Sequence, residues 1–177
     1  MEKRRKLNVE LIKFLIGSML VVGGLMLLGS SLVNNRQYRK LYNDKALEIA
    51  RKNAENNGAD VEFVKSDCFS ALQGRKYDMI VSNPPYISDE EMQTLMPEVR
   101  QEPELALFGG GDGLDFYRRI SREAPEHLNE GGFLLFEIGW LQKDAVSALM
   151  RTFIGEPFAL RDYGRNWRVV GAQLKRR

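Results

Sequence analysis

Asn83, Pro84, Pro85 and Tyr86 form a run of residues that can bind a planar, hydrogen-bonding nitrogen. The two prolines fix φ at about −65° and lack an N–H group, so the backbone is stiff here. Asn83 precedes a proline, which keeps it extended and out of the helical region. The run therefore presents two acceptors, the Asn83 carboxamide oxygen and the Pro84 carbonyl oxygen, beside the Tyr86 ring.

These groups suit methyl transfer to an amide or exocyclic amine nitrogen, which is a weak nucleophile because its lone pair is delocalised. Two acceptors can hold both N–H bonds so that the lone pair faces an electrophilic methyl group. Orientation of this kind lowers a barrier by roughly 7–11 kcal/mol in favourable cases. Asn83 and Pro84 are the predicted catalytic residues, and Asn83, Pro84, Pro85 and Tyr86 the predicted substrate-binding residues. The alternative is a plain turn, since Asn and Pro are common in turns.

A strand must position this run. Residues 76–82 are apolar apart from Asp78 and are predicted to form a short buried strand. The prolines end that strand, because a central strand needs the backbone N–H groups that they lack. Asn83 therefore lies at the carboxyl end of a strand, where open α/β sheets bind their ligands.

Helix and strand patterns alternate from residue 44 onward, which predicts an α/β sheet. A capping box is predicted from Ser88 and Glu91, and Pro125 is expected to bend or split its helix. The predicted helices are residues 44–57, 88–95, 114–128 and 143–153. The predicted strands are residues 61–65, 76–82, 133–138, 158–163 and 167–174.

Composition excludes several classes of site. With 177 residues, of which 44% are hydrophobic, the chain fits one globular domain, and its net charge of +2 requires no polyanionic partner. Direct nucleic-acid binding is therefore not expected. Cys68 is the only cysteine, which excludes an internal disulfide and fits a reducing compartment. The only histidine, His127, is predicted to lie on a helix surface, and no Cys/His metal site is available.

The chain resembles the class I S-adenosylmethionine-dependent methyltransferases, and among them the protein-(glutamine-N5) methyltransferases of peptide chain release factors. The Glu102-Pro103 pair and the run over residues 110–117 favour this branch over methyltransferases that act on adenine or cytosine. The segments that carry the resemblance are residues 45–54, 66–69, 81–87, 98–100, 102–103, 105–107, 110–117, 131–134, 136–139 and 161–164.

This resemblance implies a Rossmann-like sheet with helices on both faces, S-adenosylmethionine as cofactor and a release factor as protein substrate. It places Asp67 and Cys68 beside the adenine, with Asn83 between cofactor and substrate. The alternative for Asp67 is a cap on the turn that follows it. Residues 109–113 are expected to form a flexible loop near the substrate. Glu137 is a candidate for a side chain that faces the bound ligand.

Residues 1–43 form an atypical segment before the partial methyltransferase domain of residues 44–177. Residues 14–33 carry no charge and follow a basic start. As a helix they would span about 30 Å, the thickness of a bilayer core. Three interpretations are open: a membrane anchor, divergent strands, or a misread frame or start of a damaged gene. The third is favoured because the segment keeps roughly the length that the family has there but loses the residue types that the family has, as a shift of reading frame would cause.

The family expects a glycine-rich cofactor loop near residues 15–20 and a ribose-binding acid near Leu41. Only Gly17 stands in the first stretch, and position 41 is apolar. The first strands are therefore expected to be degraded or missing, with unpaired neighbours in the sheet. Cofactor binding is expected to be weak or absent.

The leading hypothesis is methylation of a glutamine amide in a release factor by a monomeric, cytoplasmic enzyme. One alternative is an amino methyltransferase of nucleic acid that uses the same tetrapeptide. The other is an inactive remnant anchored in a membrane through residues 14–33.

Overall fold

The computed structural model describes residues 36–96, 99 and 104–175, with side chains from residue 44 onward except at 105. The described residues fall into two compact units, 36–64 and 65–175. In the first unit, helix α1 spans Arg36–Asn56 and begins before the predicted residue 44. Leu47, Ala50 and Ala54, which follow one another at helical spacing, are all half-buried.

The second unit contains an open four-stranded sheet. Its strands are β1 (Tyr77–Ser82), β2 (Leu128–Glu137), β3 (Pro157–Arg161) and β4 (Trp167–Gln173). They lie in the order β1-β2-β4-β3, with β1 parallel to β2 and the other pairs antiparallel. The α/β class is confirmed, with strand ends shifted by a few residues at most except at the start of β2. Within the described residues β1 is an edge strand, and it is half-buried rather than fully buried.

The strand predicted over residues 61–65 is not formed. Val61 and Val64 are 51% and 38% exposed. Alternating apolar residues give only a local preference, whereas a strand also needs a neighbour that pairs with its backbone N–H and C=O groups. None of the described strands pairs with this segment. Leu41, near which the family would have its ribose-binding acid, lies inside α1.

Four helices complete the second unit: α2 (Asp89–Thr94), α3 (Glu104–Leu107), α4 (Asp115–His127) and α5 (Lys143–Phe153). The predicted capping box of α2 is confirmed, since Ser88 Oγ accepts from Glu91 N–H and Glu91 Oε2 accepts from Ser88 N–H. The predicted split at Pro125 is wrong, because α4 continues to His127. Pro125 removes the N–H of one intrahelical hydrogen bond, and only two residues of the helix follow it.

Helices α4 and α5 pack on one face of the sheet and form the core. Tyr117 and Met150 are fully buried against Leu134 and Phe136, and the Tyr117 and Phe136 rings meet edge to face at 5.0 Å. Alternate residues of β2 point to this face, so the helices cover one set of side chains along that strand. This core positions the carboxyl ends of β1 and β2.

The prediction that His127 is a surface residue is wrong. Its side chain is 5% exposed, its ring stacks on Phe69 at 4.5 Å, and Nδ1 lies 3.1 Å from the Arg75 carbonyl oxygen. The reason is helical spacing: Ile120, Ala124 and His127 follow one another at i, i+4 and i+7, which puts all three on the core face of α4.

None of the helices in the described ranges is long and apolar enough to cross a membrane. The uncharged stretch of residues 14–33 and the cofactor-loop positions 15–20 lie outside the described residues.

Candidate functional site

Strand β1 delivers the Asn-Pro-Pro-Tyr run to the carboxyl edge of the sheet. Ser82 pairs with Phe136 in the parallel register, so Asn83 stands level with Glu137 at the end of β2. Asn83 is exposed, and its carboxamide makes no hydrogen bond with any residue that the structure describes. The amide oxygen predicted to hold a ligand is therefore available to accept a hydrogen bond.

The rings of Pro84 and Pro85 pack into the protein, whereas the Pro84 carbonyl oxygen has no described donor. Pro84 is buried and Pro85 half-buried, yet no N–H group in the described part of the chain donates to the Pro84 carbonyl. The half-buried Tyr86 ring packs against the core cluster. A Cβ atom at Gly139 would lie 3.4 Å from Tyr86 Cδ2, so the ring contacts the chain that leaves β2.

Residues 109–113 pack directly against this run, which contradicts the predicted flexible loop. Gly109 N–H donates to the Ile87 carbonyl at 2.9 Å. A Cβ atom at Gly109 would lie only 2.7 Å from the Pro85 carbonyl oxygen, and one at Gly113, where φ is +74°, would overlap the Tyr86 carbonyl oxygen. Glycine is needed at both positions because backbone approaches backbone there. The loop is a support for the tetrapeptide.

Two side chains that sequence analysis did not single out hold the other side of the site. The Tyr117 hydroxyl donates to the backbone carbonyl of Glu137 at 2.9 Å, and burial raises the pKa of this tyrosine. Gln142, just before α5, donates to the Tyr86 carbonyl at 2.9 Å. Tyr117 lies in the run 110–117 that carries the family resemblance, whereas nothing in the local pattern around Gln142 indicates its contact.

Asp67 and Cys68 lie on a turn that α4 holds in place. Arg119 Nη1 lies 2.9 Å from Asp67 Oδ1, and Arg119 Nη2 donates to the Asp67 carbonyl at 3.3 Å. The Asp67 carboxylate does not cap the turn: Ser66 Oγ accepts from Ala71 N–H at 2.9 Å instead. Asp67 Oδ2 has no partner among the described residues, and the side chain is 73% exposed. Asp67 can therefore accept one further hydrogen bond.

Cys68 adopts φ +48°, an uncommon conformation for a residue with a side chain. Its half-buried side chain packs against the core cluster. Burial raises the pKa of the Cys68 thiol, and the charge of Arg119 partly opposes that rise. Cys68 therefore behaves as a small apolar wall.

A buried acid stands at the carboxyl end of β2. Glu137 is 7% exposed, and burial raises the pKa of its carboxyl while the Arg168 guanidinium partly opposes the rise. Among the described residues no cluster of three His, Cys, Asp or Glu residues could hold a metal ion.

The structure thus assembles the tetrapeptide, the 109–113 loop, Tyr117 and Gln142 at one edge, and holds Asp67 and Cys68 against α4. Helix α4 contacts both groups, through Tyr117 and Arg119. Two acceptors that no described residue occupies, on a backbone stiffened by two prolines, can orient an NH₂ group, and Asp67 can accept from an exocyclic amine.

The comparisons with known proteins show the family to which the chain belongs. The methyltransferase small domain family matches residues 23–112. The release factor glutamine methyltransferase of Geobacter sulfurreducens is 44% identical over 131 residues, which cover 73% of this chain and 46% of that protein. The enzyme of the same name from Fusobacterium nucleatum is 46% identical over 138 residues, covering 74% and 38%. The ribosomal protein uL3 glutamine methyltransferase of Bradyrhizobium diazoefficiens is 50% identical over 96 residues, covering 53% and 30%.

The chain spans about half the length, or less, of the curated relatives it matches. Among solved structures, a methyltransferase from Pyrococcus furiosus superposes with a TM-score of 0.56 at 23% identity, over 75% of this chain and 58% of that one. That likeness supports the fold. The chain belongs to the methyltransferase small domain family and has the open α/β sheet of class I methyltransferases.

Proposed function

We propose that this chain transfers a methyl group from S-adenosylmethionine to the side-chain amide nitrogen of a glutamine in a peptide chain release factor. The observation that carries the proposal is the pair of acceptors on Asn83 and Pro84, at the carboxyl end of β1, to which no described residue donates a hydrogen bond. The identity to release factor glutamine methyltransferases, 44% and 46% for two of them, supports glutamine as the acceptor side chain.

The site residues act by orienting the glutamine amide so that its nitrogen faces the methyl group. Asn83 Oδ1 and the Pro84 carbonyl accept the two N–H bonds of the glutamine amide, while Tyr86 lies against its plane. When bound, S-adenosylmethionine supplies the electrophilic methyl group on a sulfonium. Methyl transfer would leave S-adenosylhomocysteine, and the proton that the amide nitrogen loses would pass to solvent water, because the amide and carbonyl oxygens of Asn83 and Pro84 are too weakly basic to keep it. Because the nitrogen becomes positive in the transition state, its N–H bonds to both acceptors strengthen there.

Asp67, Cys68 and Asn83 are the proposed cofactor contacts in the described part of the chain. The exposed carboxylate of Asp67 keeps one oxygen for the adenine amino group while Arg119 holds the other. The half-buried Cys68 offers an apolar surface for the ring. These residue types fit the adenine end of the cofactor, because a flat apolar ring with one exocyclic donor matches an apolar wall with one acceptor.

A second protein substrate is favoured by a specific observation: relatives that act on ribosomal protein uL3 are 45% and 50% identical to this chain. Both substrate classes share the glutamine amide, so the same geometry serves either. The chemistry of the tetrapeptide also fits an exocyclic amine of a nucleic-acid base, and this alternative belongs in the same assay.

The test is methyl transfer by the purified chain from radiolabelled S-adenosylmethionine. Its substrates are a release factor, uL3, the release factor with its acceptor glutamine replaced by alanine, and an oligonucleotide. We expect label in the intact release factor and none in its alanine variant. Label in uL3 alone moves the proposal to that substrate, and label in the oligonucleotide overturns it. No label anywhere supports the inactive remnant.

A monomeric state, a cytoplasmic location and a domain boundary at residues 43/44 are part of the same proposal and remain predictions. Light scattering during size-exclusion chromatography tests the first and cell fractionation the second. Limited proteolysis with mass spectrometry tests the boundary.

A further inference from the structure

Gln142 uses both halves of its side-chain amide to join separate parts of the site. Its Nε2 donates to the Tyr86 carbonyl at 2.9 Å and to the Gly113 carbonyl at 3.3 Å. Its Oε1 accepts from Gly139 N–H at 3.1 Å and lies 3.4 Å from the Tyr117 hydroxyl oxygen, whose single proton goes to the nearer Glu137 carbonyl at 2.9 Å. A glutamine amide has two N–H donors and one acceptor oxygen, so both its donor half and its acceptor half are engaged.

Gln142 stands at the start of a helix, but its side chain does not cap that helix. Gln142 is the residue before α5, where a side chain often caps the helix, yet it makes no cap hydrogen bond. Its backbone N–H instead closes a turn on the Gly139 carbonyl at 3.0 Å. The side chain thus extends from a fixed turn toward the tetrapeptide, 56 residues away in sequence from Tyr86.

We propose that Gln142 is a positioning residue for methyl transfer, and that the N–H half of its amide sets the direction of the Asn83 and Pro84 acceptors; this rests on the proposed function. The Tyr86 carbonyl lies two residues beyond Pro84. The Pro85 ring fixes one of the few torsions between them, so the segment is stiff. Holding the Tyr86 carbonyl therefore restricts where the Pro84 carbonyl points.

The two halves of the Gln142 amide can be separated by substitution. Gln142→Glu keeps an acceptor oxygen for Gly139 N–H, but it loses the donors to the Tyr86 and Gly113 carbonyls. Gln142→Met removes both halves at similar length. Gln173→Glu is the matched control, because Gln173 Nε2 donates to the Gly131 carbonyl at 2.8 Å near the opposite end of β2.

We expect Gln142→Glu to lower kcat for the glutamine substrate about tenfold or more, with the KM for S-adenosylmethionine within about twofold of the unmodified chain. We also expect backbone amides of residues 86–88 and 111–114 to exchange hydrogen about threefold to tenfold faster, as for loss of one net hydrogen bond. Gln173→Glu should change neither quantity.

The proposal is overturned if Gln142→Glu matches Gln173→Glu in both kcat and exchange while Gln142→Met alone is impaired. In that case the N–H groups of Gln142 do not position the site, and its amide oxygen only holds the turn at Gly139. If the unmodified chain methylates no glutamine, the proposed function fails, and the exchange data still decide whether Gln142 holds the tetrapeptide. If Gln142→Glu does not fold, as judged by its thermal transition, Gln142→Met is compared with Gln173→Met, and equal kcat and exchange in these two variants overturn a positioning role for the Gln142 amide as a whole.

Discussion

Arg119 on α4 makes two hydrogen bonds to Asp67: Nη1 lies 2.9 Å from the carboxylate oxygen Oδ1, and Nη2 lies 3.3 Å from the backbone carbonyl oxygen. One side chain therefore fixes both the position of the turn and the orientation of the acid proposed to meet the adenine. The contact joins residues 52 apart in sequence.

Arg119→Gln is expected to raise the Kd for S-adenosylmethionine by up to about fivefold, because an exposed ion pair contributes at most about 1 kcal/mol. Isothermal titration calorimetry measures the change. Arg151→Gln, which removes the exposed pair between Arg151 and Glu156, is the matched control and should leave the Kd unchanged. An unchanged Kd for Arg119→Gln would speak against Asp67 as a cofactor contact. A low micromolar Kd for the unmodified chain would contradict the expected weak binding.

Asn83→Ala should lower kcat about 100-fold to 1,000-fold, the usual effect of removing one group that stabilises a transition state. The thermal transition should stay the same, since Asn83 is exposed and makes no hydrogen bond within the described residues. Methylation of the release factor measures the loss. Asn129→Ala is the control, because Asn129 bonds to Asp78 at 2.8 Å near the amino end of β1. Persisting turnover in Asn83→Ala would rule out the proposed acceptor.

The Cys68 thiol should react slowly with iodoacetamide, because its raised pKa leaves less thiolate at any given pH. The midpoint of the rate against pH should lie above about 8.5, the value for a free cysteine. Cys68 is the only cysteine, so mass spectrometry reports its modification without ambiguity. If the adenine packs on Cys68, S-adenosylhomocysteine should slow the reaction further. Equal rates with and without that ligand would place the adenine elsewhere.

His127→Ala should lower the free energy of unfolding by about 1–3 kcal/mol, from lost stacking on Phe69 and a lost hydrogen bond to the Arg75 carbonyl. Urea denaturation followed by circular dichroism measures this. Tyr163→Ala, at a fully exposed aromatic, should stay within about 0.5 kcal/mol of the unmodified chain. Equal effects of the two substitutions would show that His127 contributes no more than a surface ring.

Glu137→Gln should stabilise the chain at neutral pH and lose that advantage in acid. The folded-state pKa of Glu137 is raised by burial, so ionisation penalises the folded state as pH rises through that pKa. Below the unfolded value of about 4.3 both states are protonated and the penalty is absent. Thermal transitions of both proteins from pH 4 to pH 8 test this. A difference that is the same at every pH would contradict a burial penalty on the carboxylate.

The sequence by itself determined the features that depend on neighbouring residues. The prolines after β1, the capping box at Ser88 and Glu91, and the apolar periodicity of α5 each act within about one turn or a few residues. These local preferences placed four of the five predicted strands and all four predicted helices, and the stiffness of the tetrapeptide follows from its prolines alone.

Tertiary structure alone decided how distant segments meet. Residues 61–65 have strand-like alternation but no described partner, so the strand does not form. Helical spacing puts His127 on the core face of α4, but the ring that covers it, Phe69, comes from a distant segment, and residues 109–113 likewise pack on Tyr86. The contacts of Gln142 and Arg119 depend on the register of β1 against β2 and on the placement of α4. Such contacts join residues more than 50 positions apart, and no local pattern encodes them.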